Sequence, residues 1–337
     1  MATIADVCKE AGVSSATVSR VLNGTGQVSP KTRDRVFTAI NKLGYTPNTL
    51  ARALATNKTN TIGLIVPGYD GSYYGTMLNQ AAEQCEQAGK QIFVTDGRYD
   101  SRREKEAILM LSGRRCDGII LYSRTISEET MLELKRTIDV PLVTIGRNFS
   151  DERLPCVIFD QFNAGYTITK HLLSLGHRDI ACITGTMNTL TAQERLAGYR
   201  EALTEFGIPY RPELVESGHY HFLGGYQACQ TIMARNVKFT AIFSCSDEMA
   251  IGVEKALFES GLSIPEQISV VGIDNSGMSN YAHVPLTTID IPIKEMMRKV
   301  VEITLDMIHS PDAIHGETRF VGELIERSSS APLIEEF

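Results

Sequence analysis

The chain has 337 residues, of which 43% are hydrophobic and 22% charged, and its formal net charge is −7. This length exceeds the size at which a single hydrophobic core usually stops growing, so we expect two or three domains. No apolar run approaches the roughly 20 residues that span a bilayer, and the N-terminus lacks a basic segment followed by an apolar one. These features argue against membrane insertion and export, and we expect a cytoplasmic protein.

The charge is distributed unevenly along the chain. Residues 1–58 contain eight Lys and Arg and three acidic residues, a net charge of +5, which leaves −12 for the remainder. A basic head on an acidic body concentrates the attraction for phosphates in one place and repels nucleic acid from the other. The pattern indicates a small nucleic-acid-binding domain at the N-terminus.

The seven cysteines are widely spaced, and no two of them form a Cys-x-x-Cys pair. Their odd number and apolar surroundings, as in Cys156-Val157-Ile158-Phe159, indicate buried thiols in a reducing compartment. A zinc site is therefore not expected, and we expect no cofactor.

Three short helices are predicted in the head. Thr3 is placed to cap the first, whose apolar residues recur at helical spacing until Gly12. Ser29 is placed to cap the third, with Pro30 at its first position. We expect four apolar residues to pack this third helix beneath the other two: Val36, Phe37, Ile40 and Leu43.

The second predicted helix runs from about Ser15 to Leu22 and buries its valines. The side chains on its outer face are small except for Arg20, so the helix backbone could approach a major groove closely. The guanidinium of Arg20 could then contact a guanine or a phosphate. A small helical bundle with a solvated face is the alternative. Two closely spaced helices, a glycine in the turn and the local positive charge favour DNA binding.

The segment Thr3–Asn23, which reads TIADVCKEAGVSSATVSRVLN, resembles the signature of the lactose/galactose repressor (LacI) family. Gly44-Tyr45-Thr46-Pro47-Asn48 resembles the start of the hinge in that family, and the similarity extends over the whole chain. Within the family it is greatest to regulators of β-glucoside and galactose metabolism. The resemblance implies a helix-turn-helix domain over 1–46, a hinge helix and linker over 47–60, and an effector-binding and dimerisation domain over 61–337.

The resemblance also implies which residues contact DNA. Ser15, Ala16 and Arg20 would meet base edges, and Leu54 would be inserted into the minor groove at the operator centre. Leu50, four residues earlier, is interpreted as an ordinary packing residue. The full predicted DNA-binding set is Thr3, Ser14, Ser15, Ala16, Thr17, Ser19, Arg20, Asn23, Asn48 and Leu54.

From Thr61 onward, apolar runs alternate with helical patterns, which predicts parallel sheets covered on both faces. Two successive sets of strands predict two Rossmann-like lobes, an N-lobe of about 61–160 and 290–320 and a C-lobe of about 161–289 and 321–330. Ligands bind at the carboxyl ends of such strands, so we expect a site in the cleft between the lobes. The predicted strands are Ile62–Val66, Ile92–Thr95, Gly118–Tyr122, Leu142–Ile145, Val157–Phe159, Ile180–Thr184, Ala241–Cys245 and Ile268–Ile273.

This body resembles the periplasmic sugar-binding proteins, whose fold the family uses for sensing. The resemblance implies that Arg195 and Asp274 hold sugar hydroxyls, since a guanidinium and a carboxylate can each make paired hydrogen bonds. It also implies that Tyr74 and Tyr220 lie against the apolar face of the sugar. Three further ligand candidates follow predicted strands: Asp160, Ser246 and Asp247.

Each candidate also has a purely structural interpretation. Arg195 could be a surface charge, Asp274 a turn-forming acid, Tyr74 a core residue and Asp247 a helix cap. In addition, Ser246 stands where several relatives carry Asn, and some relatives carry Trp in place of tyrosine 220. The identity of the ligand is therefore open.

An enzyme is the main competing class, since doubly wound folds often carry catalysis. No G-x-G-x-x-G, Walker A, G-x-S-x-G or H-E-x-x-H motif occurs, and the loop Gly68–Ser72 has no lysine for a phosphate. His219 and His221, in an extended segment, would project to one side and fit a pocket rim as well as a metal. We therefore expect that the protein is not an enzyme.

A plain periplasmic sugar-binding protein is the second competing class, and the basic head argues against it.

The resemblance implies a homodimer that places two heads on a near-palindromic operator, with a small sugar closing the cleft and releasing the DNA. In some relatives the ligand has the opposite effect: a co-repressor such as a purine strengthens operator binding. This alternative stays open. The C-terminal segment Arg327–Phe337 has no leucine heptad, so a dimer is favoured over a tetramer.

Overall fold

The computed structural model describes residues 2–24, 26–46, 58–123, 125–151 and 154–333. The chain divides into two compact units, a head up to Thr59 and a body from Asn60. The predicted hinge residues Asn48, Leu50 and Leu54 lie outside the described residues. Among the described helices, none combines the length and apolar content that a membrane crossing requires.

The head consists of helices α1 (Ile4–Ala11), α2 (Ser15–Asn23) and α3 (Pro30–Leu43). The predicted caps are confirmed. Thr3 and Asp6 form a reciprocal capping box at the start of α1, and Ser29 accepts a hydrogen bond from the Thr32 N–H at the start of α3. Gly12 ends α1 in the left-handed conformation, with φ 61°.

The core of the head is formed mainly by small aliphatic side chains. Val36 and Ala39 of α3 are fully buried, and Ile40 and Leu43 pack against them half-buried. The prediction for Phe37 is wrong, because this ring is 44% exposed. It lies one position beyond Val36, about 100° around the helix, so the face that buries Val36, Ala39 and Leu43 excludes it.

The body alternates strands and helices along the chain. Two turns of 3-10 helix, at Pro212–Leu214 and Ser279–Tyr281, interrupt this alternation. The elements in order are β1 Thr61–Val66, α4 Ser72–Gln87, β2 Gln91–Asp96, α5 Ser101–Gly113, β3 Gly118–Tyr122, α6 Glu128–Thr137, β4 Leu142–Ile145, β5 Cys156–Phe159, α7 Gln161–Ser174, β6 Ile180–Thr184, α8 Leu190–Glu205, β7 Val215–Ser217, α9 Phe222–Ala234, β8 Ala241–Ser244, α10 Asp247–Glu259, β9 Ser269–Asp274, β10 Thr287–Asp290, α11 Ile293–His309, β11 Glu317–Phe320 and β12 Glu323–Ile325.

Two six-stranded sheets organise the body. The N-lobe sheet has the order β11-β5-β4-β3-β1-β2 and is parallel throughout, and the C-lobe sheet has the order β12-β10-β9-β8-β6-β7. In the C-lobe, β12 alone among the described strands runs antiparallel to its neighbour. The chain therefore passes between lobes after β5, after β10 and after β11, close to the predicted boundaries. All eight predicted strands are present.

The inner strands of both sheets are buried, as their continuous apolar runs predict. The central strands β1, β3, β6 and β8 carry side chains that are almost entirely inaccessible. All seven cysteines carry free thiols, and all but Cys8 are buried, which confirms the prediction of buried thiols. Burial raises the pKa of Cys85 to about 11 and that of Cys229 to about 12, so these thiols stay protonated and act as small apolar groups.

Candidate functional site

A cavity of about 710 Å³ lies between the two lobes of the body. Its walls come from the segments that follow β1, β2, β3, β6, β7, β8 and β9, which are the carboxyl ends of parallel strands in both sheets. A pocket at this position is the one that doubly wound sheets form by their topology. The predicted cleft is therefore present, and five of the seven predicted ligand residues line it: Tyr74, Arg195, Tyr220, Ser246 and Asp274.

Arg195 lies in the first turns of α8 with only 3% of its surface exposed. Its Nε donates to Oε1 of Gln161 at 2.7 Å, and its Nη1 donates to the carbonyl of Cys245. Its Nη2 lies 3.7 Å from Oδ1 of Asp274. The guanidinium is thus held on three sides and presented at the cavity, which excludes the interpretation as a surface charge.

Asp274 ends β9 with its backbone at φ 130°, a conformation that non-glycine residues seldom adopt. The pKa of its carboxyl group is raised to about 8, mainly by burial; Arg195 opposes the rise, and the nearby Asp247 and Glu248 add to it. Desolvation of this kind leaves the carboxyl group available to hydrogen-bond donors that a ligand supplies.

Tyr220 occupies a tight turn before α9. His219 and Tyr220 both have left-handed backbones, with φ 56° and 64°, so the prediction of an extended segment is wrong. The Tyr220 ring lies directly on Gly185, where any side chain would collide with it. His219 and His221 line the cavity beside this ring. The described residues contain no group of three or more potential metal ligands.

Tyr74 lies in the first turn of α4, on the N-lobe side of the cavity. Its hydroxyl is 2.8 Å from the hydroxyl of Tyr99, and its ring meets Tyr73 and Tyr122 edge to face. Tyr74 is therefore both part of an aromatic cluster and part of the cavity wall.

Two predicted ligand residues do not line the cavity. Oδ1 of Asp160 accepts a hydrogen bond from the Asn163 N–H and caps α7, and its Oδ2 lies 3.5 Å from Arg319. Asp247 is fully buried, where it accepts from Thr288 Oγ1 at 2.6 Å and from the Ser276 N–H at 2.8 Å. Both carboxyl groups are thus occupied within the protein, Asp160 by the start of α7 and Arg319 of β11, and Asp247 by groups of the C-lobe.

The helix α10 is capped by Ser246 and not by Asp247. The Ser246 hydroxyl accepts a hydrogen bond from the Met249 N–H at 3.3 Å, and the same residue lines the cavity. Glu248, in the first turn of the same helix, also lines the cavity and was not predicted from the sequence. Its signal was its position at the start of a helix that follows a predicted strand, which the resemblance did not mark.

Several other lining residues were also missed. Gln161 orients Arg195, and the segment after β6 contributes hydroxyl and amide groups. Hydroxyl and amide side chains can hydrogen-bond the hydroxyl groups of a polyhydroxylated ligand. The missed polar lining residues of the C-lobe are Gln161, Thr186, Asn188, Thr189 and Thr191.

The predicted DNA-contacting face of α2 is open. Ser15, Ala16 and Arg20 are exposed, and Val18 and Val21 on the opposite side are buried. Other members of the predicted set form the local caps of the head: Thr3 caps α1, and Ser14 caps α2 by accepting from the Thr17 N–H at 3.2 Å. The side chain of Asn23 lies outside the described part of the chain.

Two family models match this chain. Residues 3–48 match the bacterial regulatory proteins of the lacI family, and residues 59–323 match the periplasmic binding proteins and sugar-binding domain of the LacI family. The chain belongs to the LacI family. The exposed face of α2 and the cavity of the body therefore belong to a DNA-binding transcriptional regulator and not to an enzyme.

Relatives of this LacI-family regulator match it over nearly its whole length. It is 37% identical to the HTH-type transcriptional regulator AscG of Escherichia coli (strain K12), over 98% of each chain. The structure of a Lac repressor dimer bound to operator and the anti-inducer ONPF superposes with a TM-score of 0.88 at 28% identity, covering 98% of this chain and 99% of the other. A complex of the transcriptional regulator CelR with cellobiose superposes with a TM-score of 0.73 at 31% identity, covering 98% and 100%.

Proposed function

We propose that this regulator represses transcription as a cytoplasmic homodimer and is released from its operator by a small sugar bound between the two lobes. The observation that carries the proposal is the Arg195–Asp274 pair, a buried guanidinium and a carboxyl group presented together at the interlobe cavity. A polyhydroxylated ligand offers both donors and acceptors, which this pair can satisfy at once. The structure of a cellobiose complex of CelR, a protein of similar fold and sequence, supports a sugar as the class of ligand.

The assignment of DNA contacts is also part of the proposal. Arg20 is the one large cation on the exposed face of α2, and its small neighbours Ser15 and Ala16 leave room for the backbone to approach base edges. Leu54 of the hinge is proposed as the minor-groove residue on the family resemblance alone. The operator-bound dimer of the Lac repressor supports two heads on two half-sites.

Sugar and DNA act on one equilibrium in this proposal. A sugar that contacts both lobes favours the arrangement in which the lobes are close, and it releases DNA only if that arrangement binds the operator less well. The coupling free energy is RT times the logarithm of the ratio of operator affinities with and without sugar, typically about 1–3 kcal/mol. A compound that strengthens operator binding would be a co-repressor, which is the opposite of the proposed effect of the sugar.

The test uses the full chain and an operator selected from random DNA. Arg20→Ala should weaken operator binding at least ten-fold and leave sugar affinity unchanged, whereas Arg20→Lys should retain part of the affinity and lose sequence preference, because a lysine lacks the bidentate fork. Arg195→Lys should keep operator binding and lose the response to sugar. Normal operator affinity in Arg20→Ala, or normal release in Arg195→Lys, would contradict the respective half of the proposal.

A further inference from the structure

The N-lobe wall of the cavity is unusually rich in tyrosine. Tyr69, Tyr73, Tyr74 and Tyr99 all line it. Tyr73 and Tyr74 are half-buried against Tyr122, but Tyr69 and Tyr99 keep 50% and 46% of their surface exposed. Large aromatic rings left open inside a concave site are surfaces on which a ligand ring can pack.

Tyr99 is held in place and is not a loosely attached surface residue. Its backbone and that of Arg98 are both left-handed, with φ 55° and 48°, a costly conformation for residues with side chains. The hydroxyl contact with Tyr74 at 2.8 Å fixes the far end of the ring. Tyr69 lines the same wall. The two open rings therefore belong to one N-lobe surface.

The cavity is large for one sugar ring. Its volume of about 710 Å³ falls within the range of about 300–1,000 Å³ that is usual for pockets holding drug-sized ligands. The polar groups proposed to hold a sugar, Arg195 and Asp274, belong to the C-lobe, as does the ring of Tyr220 that is predicted to lie against it. A single hexose bound there would leave the exposed rings of Tyr69 and Tyr99 available to a second group of the ligand.

The charges of the wall disfavour an anionic ligand. Among the described lining residues, each of the two arginines lies beside an acidic group: Arg98 is 3.4 Å from Asp96, and Arg195 is 3.7 Å from the carboxyl group of Asp274. Asp70 and Glu248 add two further acidic residues, and the described wall contains no lysine and no third arginine.

The helix N-termini at the cavity are also largely occupied. A backbone N–H at the start of a helix can bind an anion only if no other group has taken it. Four of the helices that begin at the cavity have such an N–H bonded to a protein side chain: α4 to Glu248, α7 to Asp160, α8 to Thr189 and α10 to Ser246.

We infer that the effector is an uncharged two-ring glycoside, with its sugar ring at Arg195 and Asp274 and its second ring, aromatic or a second sugar, against Tyr69 and Tyr99. This inference rests on the proposed function, because it assigns the ligand of the same cavity. It excludes free monosaccharides and sugar phosphates as the preferred effectors.

The experiment is calorimetric titration of the full chain with matched ligands. The probes are glucose, cellobiose, p-nitrophenyl β-glucoside and glucose 6-phosphate, together with galactose, p-nitrophenyl β-galactoside and galactose 6-phosphate. In at least one series, a two-ring glycoside should bind ten-fold or more tightly than its monosaccharide, and the phosphate should bind more weakly than either. Equal affinities for one ring and two rings, tighter binding of a phosphate, or no binding of any two-ring glycoside would overturn the inference.

Substitutions then locate the second ring. Tyr69→Ala and Tyr99→Ala should each reduce the preference for two rings over one by about three- to ten-fold, the value of an aromatic contact. Tyr69→Phe keeps the ring and should keep the preference. An unchanged preference in both alanine variants would overturn the assignment. Operator binding and its loss in Arg20→Ala test the proposed function separately, so the two can fail independently.

Discussion

Both hydrogen-bond donors of Ser72, its backbone N–H and its hydroxyl, lie at one carboxylate oxygen of Glu248, at 2.9 and 3.3 Å from Oε1. Ser72 begins α4 in the N-lobe, and Glu248 lies in the first turn of α10 in the C-lobe. The contact thus joins the two lobes beside the cavity that Glu248 lines. Separation of the lobes requires both of these hydrogen bonds to break.

We expect Glu248→Ala to shift the ligand-free body toward separated lobes. Hydrogen bonds to a charged group contribute about 1.5–3 kcal/mol, and partial exposure of this pair places it at the lower end. The apparent sugar affinity should therefore fall about ten-fold, because less of the protein is in the binding arrangement. The measurements are calorimetric sugar affinity and the distance between spin labels on α4 and α10.

Two milder variants provide the controls for this contact. Glu248→Gln keeps an acceptor oxygen without the charge, and Ser72→Ala keeps the backbone N–H bond while losing the hydroxyl. The effect on sugar affinity should decrease in the order Glu248→Ala, Glu248→Gln, Ser72→Ala. Wild-type lobe distance in Glu248→Ala would show that the contact does not hold the lobes.

The position of Arg195 depends on a close approach of α7 and α8 at Gly165. A Cβ on Gly165 would come within 2.9 Å of the Cα of Arg195. Gly165→Ala should therefore push α8 away, lower the free energy of unfolding by about 1–3 kcal/mol and weaken sugar binding. Urea unfolding and calorimetry would measure the two effects.

Gly75 offers a matched control for this substitution. It also lies inside a helix, α4, but nothing stands within 4 Å of a Cβ built there. Gly75→Ala should stabilise the protein by about 0.5–1 kcal/mol through helix propensity alone. Equal effects of the two alanines on stability would exclude packing as the reason for Gly165.

The strands were predictable where the sequence has a continuous apolar run. Seven of the eight predicted strands are buried runs of the kind that parallel sheets require, and the eighth, β2, has the apolar run Ile92-Phe93-Val94 although it is a half-exposed edge strand. The four missed strands, β7, β10, β11 and β12, are only three or four residues long, and three of them are half-exposed edge strands. Such short strands are defined by their neighbours in the sheet and carry little pattern of their own.

The sequence predicts which residues follow the carboxyl ends of strands, but not whether their side chains point into the cavity. Arg195 and Asp274 face the cavity, whereas Asp160 and Asp247 occupy similar positions in the sequence and turn back to cap a helix or to bond within the lobe. Local sequence does not distinguish these outcomes. Glu248 was missed because its partner Ser72 lies 176 residues earlier, so only the assembled lobes reveal the pair.

The exposure of Phe37 leads to a test of the head core. Phe37→Ser should change the stability of the head by less than about 0.5 kcal/mol, since the ring is 44% exposed, whereas Val36→Ala should cost about 1.5–3 kcal/mol. Hydrogen exchange of the α3 amides in the full chain measures the opening free energy of the head. A larger loss in Phe37→Ser than in Val36→Ala would reverse the assignment of the core face.

Glu254 predicts a pH dependence of stability. This carboxyl group of α10 is 4% exposed, and its Oε2 accepts from the Val284 N–H at 3.4 Å. Burial raises its pKa from 4.5 to about 7. The folded protein therefore retains a proton there that the unfolded chain releases, so stability from this group declines as the pH rises from about 4.5 to about 7 and is constant above.

Glu254→Gln removes this titration while keeping an acceptor for Val284. The variant should be more stable than the wild type above pH 7, by up to about 3 kcal/mol, and the advantage should vanish toward pH 4.5. Burial also raises the pKa of Asp247 to about 6, but this group titrates in both proteins and cancels in the difference. Urea unfolding of the body from pH 4.5 to 8.5, at one protein concentration, measures the difference. Parallel stability curves for the two proteins would contradict the buried, protonated state of Glu254.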